Sequence, residues 1–139
     1  MKKIFRLHGK FEVHVEGQLL IGEVEGPWNR ELVEYWAQQS KTLLAEFNAQ
    51  RPYMAITTMH GSMLCPPDAL ERIGQAVKYG NQHFHCKGNL IVAAKGVDGV
   101  DLVRSAYAKI GITQFFQTLD EAKDYASCVL AKHDMISSP

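Results

Sequence analysis

An α/β fold built on a mixed β-sheet is the class this chain predicts, and three observations predict it. The chain opens as an antiparallel hairpin; three further strand-like runs then alternate with amphipathic stretches; and each of those stretches begins at a readable cap. Strand and helix in alternation imply parallel pairing, because parallel neighbours need a crossover connection and a helix is the usual one.

The elements follow in order. Phe11, Val13 and Val15 alternate with Glu12, His14 and Glu16 at the period of a strand with one buried and one wet face. Glu16-Gly17-Gln18 supplies the reversal, since glycine reaches positive φ without a Cβ clash, and residues 19 to 24 form the antiparallel partner. Residues 3 to 7 are expected to extend the first strand past a bend at Gly9. Gly26-Pro27 ends the hairpin, Asn29 is placed to cap a helix over residues 30 to 49, and Trp28 and Val33 are spaced as a hydrophobic staple. Leu32, Trp36, Leu43, Leu44 and Phe47 recur on one face of that helix and are expected to be core.

Arg51-Pro52 stops the first helix, and residues 53 to 59 form a strand. After a loop over residues 60 to 67, Asp68 and Glu71 have the spacing of a capping box for a second helix that ends at Gly80 or a few residues later. Leu70, Ile73, Val77 and Phe84 mark its apolar face. Residues 89 to 94 are almost wholly apolar, which predicts a strand covered on both faces at the middle of the sheet. Residues 102 to 110 form a short helix that Gly111 closes, residues 114 to 117 the last strand, and Thr118 to Glu121 a capping box for a final helix with Ala122, Tyr125, Ala126 and Val129 on one face.

A chain of 139 residues is the size of one domain with a self-sufficient core, so one domain over residues 1–139 is expected, with residues 132–139 as a flexible tail. Lysine plus arginine equals aspartate plus glutamate at 15 each, which removes the net field that would hold nucleic acid or an anionic membrane by charge alone. No apolar run approaches the ~20 residues that span a bilayer. The opening Met1-Lys2-Lys3-Ile4-Phe5-Arg6 lacks a secretory signal's apolar stretch, and a cytoplasmic location is expected. Cys65, Cys86 and Cys128 are odd in number and lack paired spacing, which predicts reduced thiols.

Hairpin, helix, strand, helix, strand, helix, strand, helix resembles the order of the STAS superfamily, the sulfate-transporter and anti-sigma-factor-antagonist domains also called SpoIIAA-like, over residues 11 to 130. The most specific likeness is Ile112-Thr113-Gln114-Phe115-Phe116 running into Thr118-Leu119-Asp120-Glu121-Ala122, which looks like the family's last strand and final helix. The resemblance implies a SpoIIAA-like mixed sheet with four main helices and, at the junction of middle strand and second helix, a phosphorylatable serine. Ser62 lies near that place, but its neighbours depart from the family's aspartate-serine-glycine pattern. Some stand-alone relatives share a fold with Sec14-like lipid carriers, which implies an apolar ligand and peripheral membrane association as an alternative.

Ligands of open α/β sheets sit beyond the carboxyl ends of the strands, an edge that loops 26–29, 60–67 and 95–98 are expected to reach. Trp28, Asn29, Met59, His60, Ser62, Met63, Leu64, Cys65 and Lys95 are therefore the candidate ligand- or partner-binding residues, beside a helix N-terminus that favours an anion. Met63 and Leu64 suit a partner or an acyl chain, and equally suit folding back onto the core. Cys65 precedes the second helix, where a thiolate is favoured, and His60 is its candidate base; with no third orienting residue in sequence, no catalytic residue is expected. His83, His85 and Cys86 offer three metal-capable side chains without a spaced fourth ligand, so a hydrated linker is expected there, with no metal and no cofactor. No phosphate-binding P-loop, dinucleotide fingerprint or Gly-x-Ser-x-Gly elbow occurs. The expectation is a non-enzymatic module that engages a protein partner or a small apolar or anionic ligand, with homodimerisation compatible with the fold; the alternative is a carrier whose apolar pocket Trp28, Met59, Met63 and Leu64 line.

Overall fold

A mixed sheet and four helices make up the computed structural model, which describes residues 5–6, 10–26, 28–46 and 51–137. The elements run β1 (Phe5–Arg6), β2 (Lys10–Glu16), β3 (Leu19–Glu25), α1 (Arg30–Glu46), β4 (Tyr53–His60), α2 (Pro67–His83), β5 (Cys86–Ala93), α3 (Val100–Lys109), β6 (Gln114–Phe116) and α4 (Leu119–Ser137). Sheet order equals chain order, β1 to β6; β1, β2 and β3 pair antiparallel, and β3 to β6 pair parallel through the three helical crossovers. Among the described residues no helix is long and apolar enough to cross a membrane.

Local chemistry accounts for the boundaries. Gly17, at φ +58°, turns β2 into β3 through a two-residue connection between Glu16 and Leu19. Asn29 caps α1, its Oδ1 accepting from the Leu32 amide at 2.8 Å, and Trp28 and Val33 lie in one buried cluster as a staple requires. At α4, Thr118 Oγ1 accepts from the Glu121 amide at 3.2 Å and donates to the Glu121 carboxylate at 3.0 Å. Gly111, at φ +90°, lets the chain leave α3 with the Ile112 amide donating to the Tyr107 carbonyl.

Several expectations are corrected. Phe5–Arg6 pairs back onto Lys10 and Phe11 as a separate antiparallel edge strand and does not prolong β2; residues 3, 4 and 7, Gly9, Pro27, Phe47 and the rest of residues 47–50 lie outside the described residues. Helix α2 begins at Pro67, with Pro66 at the cap position. A proline ring fits the first helical turn because the amide it removes would be unpaired there. Asp68 is thus inside the helix, its Oδ1 accepting from the neighbouring Ala69 amide at 2.9 Å, and no capping box forms. Strand β5 starts at Cys86 and is second from the sheet edge, beside the three-residue β6. Its apolar run reflects cover on both faces, Ile91 and Ala93 on one side and Leu90 and Val92 on the other. Helix α4 continues to Ser137, so residues 132–137 of the expected tail are helical, and residues 138–139 lie outside the described residues.

The sheet separates two cores. Ala122 and Ala126 of α4 pack on Leu19, Ile21, Met54, Ile56, Leu90 and Val92. On the opposite face, α1, α2 and α3 cover Phe11, Val24, Met59, Ile91 and Ala93 with Leu32, Val33, Ile73, Val77, Val103 and Tyr107. Each such side chain fully withdrawn from water contributes roughly 1.5–3 kcal/mol, so these two layers hold the fold.

Candidate ligand-binding site

The face under α1 and α2 is not filled evenly. Near the carboxyl ends of the strands it is occupied by large side chains: Trp28, Met59 and Met63 are 5%, 1% and 0% exposed. Toward the amino ends the same face carries Gly22 on β3 and Ala55 on β4, and the helices above present Ala37, Ser40, Ala76 and Gly80. Small residues opposed across a helix–sheet gap cannot fill it. The result is a cavity of about 490 Å³, within the range of small-molecule sites, bounded at its sides by Val13, Leu20, Trp36, Leu44, Tyr53 and Phe84. A pocket of about 20 Å³ shares Trp36, Thr57, Val77 and Asn89 with it and reaches Trp28, whose ring stands edge-on to Trp36 at 6.0 Å. The expected core stripe of α1 therefore borders empty space at Trp36 and Leu44.

Polar side chains also line the wall, among them Ser40, Thr57, Gln75 and Asn89. Ser40 is buried, and its Oγ has no hydrogen-bond partner. Cys86 donates to the Gly88 carbonyl at 3.4 Å and lies beside the Tyr53 hydroxyl; burial pushes both groups up from their ordinary pKa, so each stays protonated at neutral pH. Lys41, Gln75 and Tyr79 are exposed, so the cavity opens to solvent along the seam between α1 and α2. Two contacts cross that seam: Arg72 Nε to Glu34 Oε1 at 2.6 Å, and Lys41 Nζ over the Tyr79 ring at 5.0 Å. Among the described residues, Lys41 and Arg72 are the charged residues of the lining, which holds no carboxylate.

The residues expected to form the site lie elsewhere, and the large cavity is lined by none of them. Residues 60–67 are tied down. The Gly26 amide donates to the His60 carbonyl, Trp28 to Leu64, Met63 to Asp98 and Asp98 to Gly61, all at 2.8–3.0 Å, and Ser62 bridges to Asp98. Gly26 is obligatory in this knot, because a Cβ there would lie 1.9 Å from the Ser62 carbonyl oxygen. Met63 folds onto the core, while Leu64 is 43% exposed and sits against Gly99. Ser62 Oγ accepts from the Leu64 amide at 3.1 Å, Asn29 serves as the α1 cap, and Lys95 is exposed.

His60 and Cys65 are engaged separately. His60 Nε2 contacts Glu23 Oε1 at 3.3 Å, and the Cys65 thiol is pushed up to about 12 by burial and by the Asp68 carboxylate, opposite to what a resting nucleophile needs. His83 stacks on Tyr79 at 4.2 Å, whereas Cys86 begins β5 and faces the cavity; among the described residues no three metal-capable side chains cluster. Sequence reasoning missed Ser40, Ala37, Ala76 and Gly80, whose signal is small residues at i, i+3 and i, i+4 on the sheet-facing sides of two neighbouring helices. Comparison with protein-family models, with curated proteins and with solved structures finds no match.

Proposed function

We propose that this chain is a non-enzymatic, STAS-like binding module that holds a small, largely apolar ligand in the cavity between α1, α2 and the sheet. One observation carries the reading: a gap of about 490 Å³ that small and apolar side chains such as Leu20, Gly22, Ala37, Leu44, Ala55 and Ala76 leave open between helices and sheet. Each buried methylene adds about 0.8 kcal/mol, so a ten-carbon chain gains about 8 kcal/mol before the cost of association.

The test is a thermal-shift titration with 1-decanol. The wild type is expected to rise in Tm with ligand concentration, and Ala76→Leu, which projects a larger side chain into the gap, to keep its fold and lose the response. Decanol leaving the wild-type Tm unchanged, or stabilising Ala76→Leu equally, removes the reading.

A second reading, a docking surface for a protein partner at the loop before α2, is favoured by an apolar side chain left in water there, Leu64 at 43% exposure. A photocrosslinking amino acid at position 64 is expected to trap one discrete adduct in cells; absence of any adduct removes it.

A further inference from the structure

The cavity's ligand can be narrowed by the charge around its mouth, an inference that rests on the cavity reading above. Glu34 and Lys41 stand seven residues apart on α1, as Arg72 and Tyr79 do on α2, and the pairs Glu34–Arg72 and Lys41–Tyr79 cross the same seam. The helices therefore run parallel, with one clasp two turns beyond the other. The two cations of the lining are not equivalent. The Arg72 guanidinium is held by the Glu34 carboxylate at 2.6 Å, whereas Lys41, among the described residues, rests on an aromatic face and meets no carboxylate. Next to Lys41 in sequence, Ser40 lines the same cavity, with its Oγ turned out of reach of solvent.

A cation at the cavity mouth that meets no carboxylate among the described residues asks for a negatively charged oxygen at the rim. Among the described residues the lining contains no carboxylate to repel it, although acids and bases are equal in number over the chain. We propose that the ligand is an amphipathic monoanion, a carboxylate on an apolar chain, whose head lies at Lys41 and whose tail runs over Leu20, Leu44 and Ala55. A neutral amphiphile of the same length leaves Lys41 unanswered, and a cationic one is repelled. Since Lys41 is exposed, its contribution is screened, and the preference shrinks as salt rises.

Calorimetric titrations with decanoate, 1-decanol and decyltrimethylammonium, below the micelle concentrations of the two ions and the solubility of the alcohol, at pH 8 and low salt, test this. Decanoate is expected to bind about three- to fivefold more tightly than decanol, with the ammonium weakest. Lys41→Met brings decanoate down to the level of decanol while decanol itself changes less than about twofold, and Lys41→Arg keeps the preference. Equal affinity for acid and alcohol, tightest binding of the ammonium, or a Lys41→Met variant that weakens both alike overturns the assignment of the head group and leaves the cavity reading standing. If no amphiphile binds, both fall.

Discussion

Two halves of one sheet face behave differently. Toward the carboxyl ends of β3, β4 and β5, Val24, Met59, Met63 and Trp28 interlock, and the loop over residues 60–67 is laced to residues 26–28 and 98 by backbone hydrogen bonds. Toward the amino ends the same strands offer Gly22 and Ala55 to Ala37, Ser40, Ala76 and Gly80, and about 490 Å³ stays open. The strands and their helices are common to both halves. Side-chain volume leaves one half filled and the other open, so the open space lies away from the strand-end edge expected from topology.

The largest effect should come from disturbing the filled half. Gly26→Ala forces a Cβ onto the Ser62 carbonyl oxygen, where backbone must move, and is expected to cost about 3 kcal/mol or more in denaturant unfolding. A loss under about 1 kcal/mol would mean that the loop is not rigidly held. Next, Met63→Ala in the filled half should cost about 3 kcal/mol, and Leu44→Ala beside the gap nearer the low end of the usual range, about 2, because Leu44 has fewer neighbours to lose. Equal costs would break the comparison.

A smaller effect concerns pH. Burial pushes the Cys65 thiol up to about 12 in the folded protein, and Asp68 adds to the shift, whereas an unfolded thiol loses its proton near 8.5. The contribution to stability is therefore whole below about 8.5 and fades as pH climbs through the folded value. Cys65→Ala should show a flatter alkaline limb in a plot of Tm against pH; a limb identical to that of the wild type contradicts the burial. The smallest effect is at Gly22, where an added Cβ meets only the Glu12 carbonyl oxygen at 3.7 Å and φ is ordinary. Gly22→Ala should stabilise the protein by about 0.5 kcal/mol in thermal unfolding, through lost freedom of the unfolded chain.

Much of the scaffold was legible because it rests on local chemistry. The Asn29 cap, the Thr118–Glu121 box, the Gly17 reversal and the Gly111 exit each follow from one side chain, or its absence, acting on backbone within a few residues. The α2 start was misread where two local signals compete: Asp68 looks like a cap, but Pro67 already fits the first turn. An apolar strand reports cover on both faces, not distance from the edge, which is why β5 was expected at the centre. The cavity was illegible for a different reason. Alanine and glycine read as weak members of an apolar stripe, and only the register of β3 on β4 and the seam of α1 on α2 reveal that the small ones meet. The loop over residues 60–67 carries polar and sulfur-bearing side chains suggestive of chemistry, yet its hydrogen bonds run to its own neighbours.

The most direct test of the open half is a crystal structure of the protein soaked with a decanol brominated at the chain end, with the bromine located by its anomalous scattering. The expected result is one bromine peak over Gly22 and Ala55, beneath the seam of α1 and α2. A peak beside Leu64 and Leu102, or none bound to the protein, would contradict it.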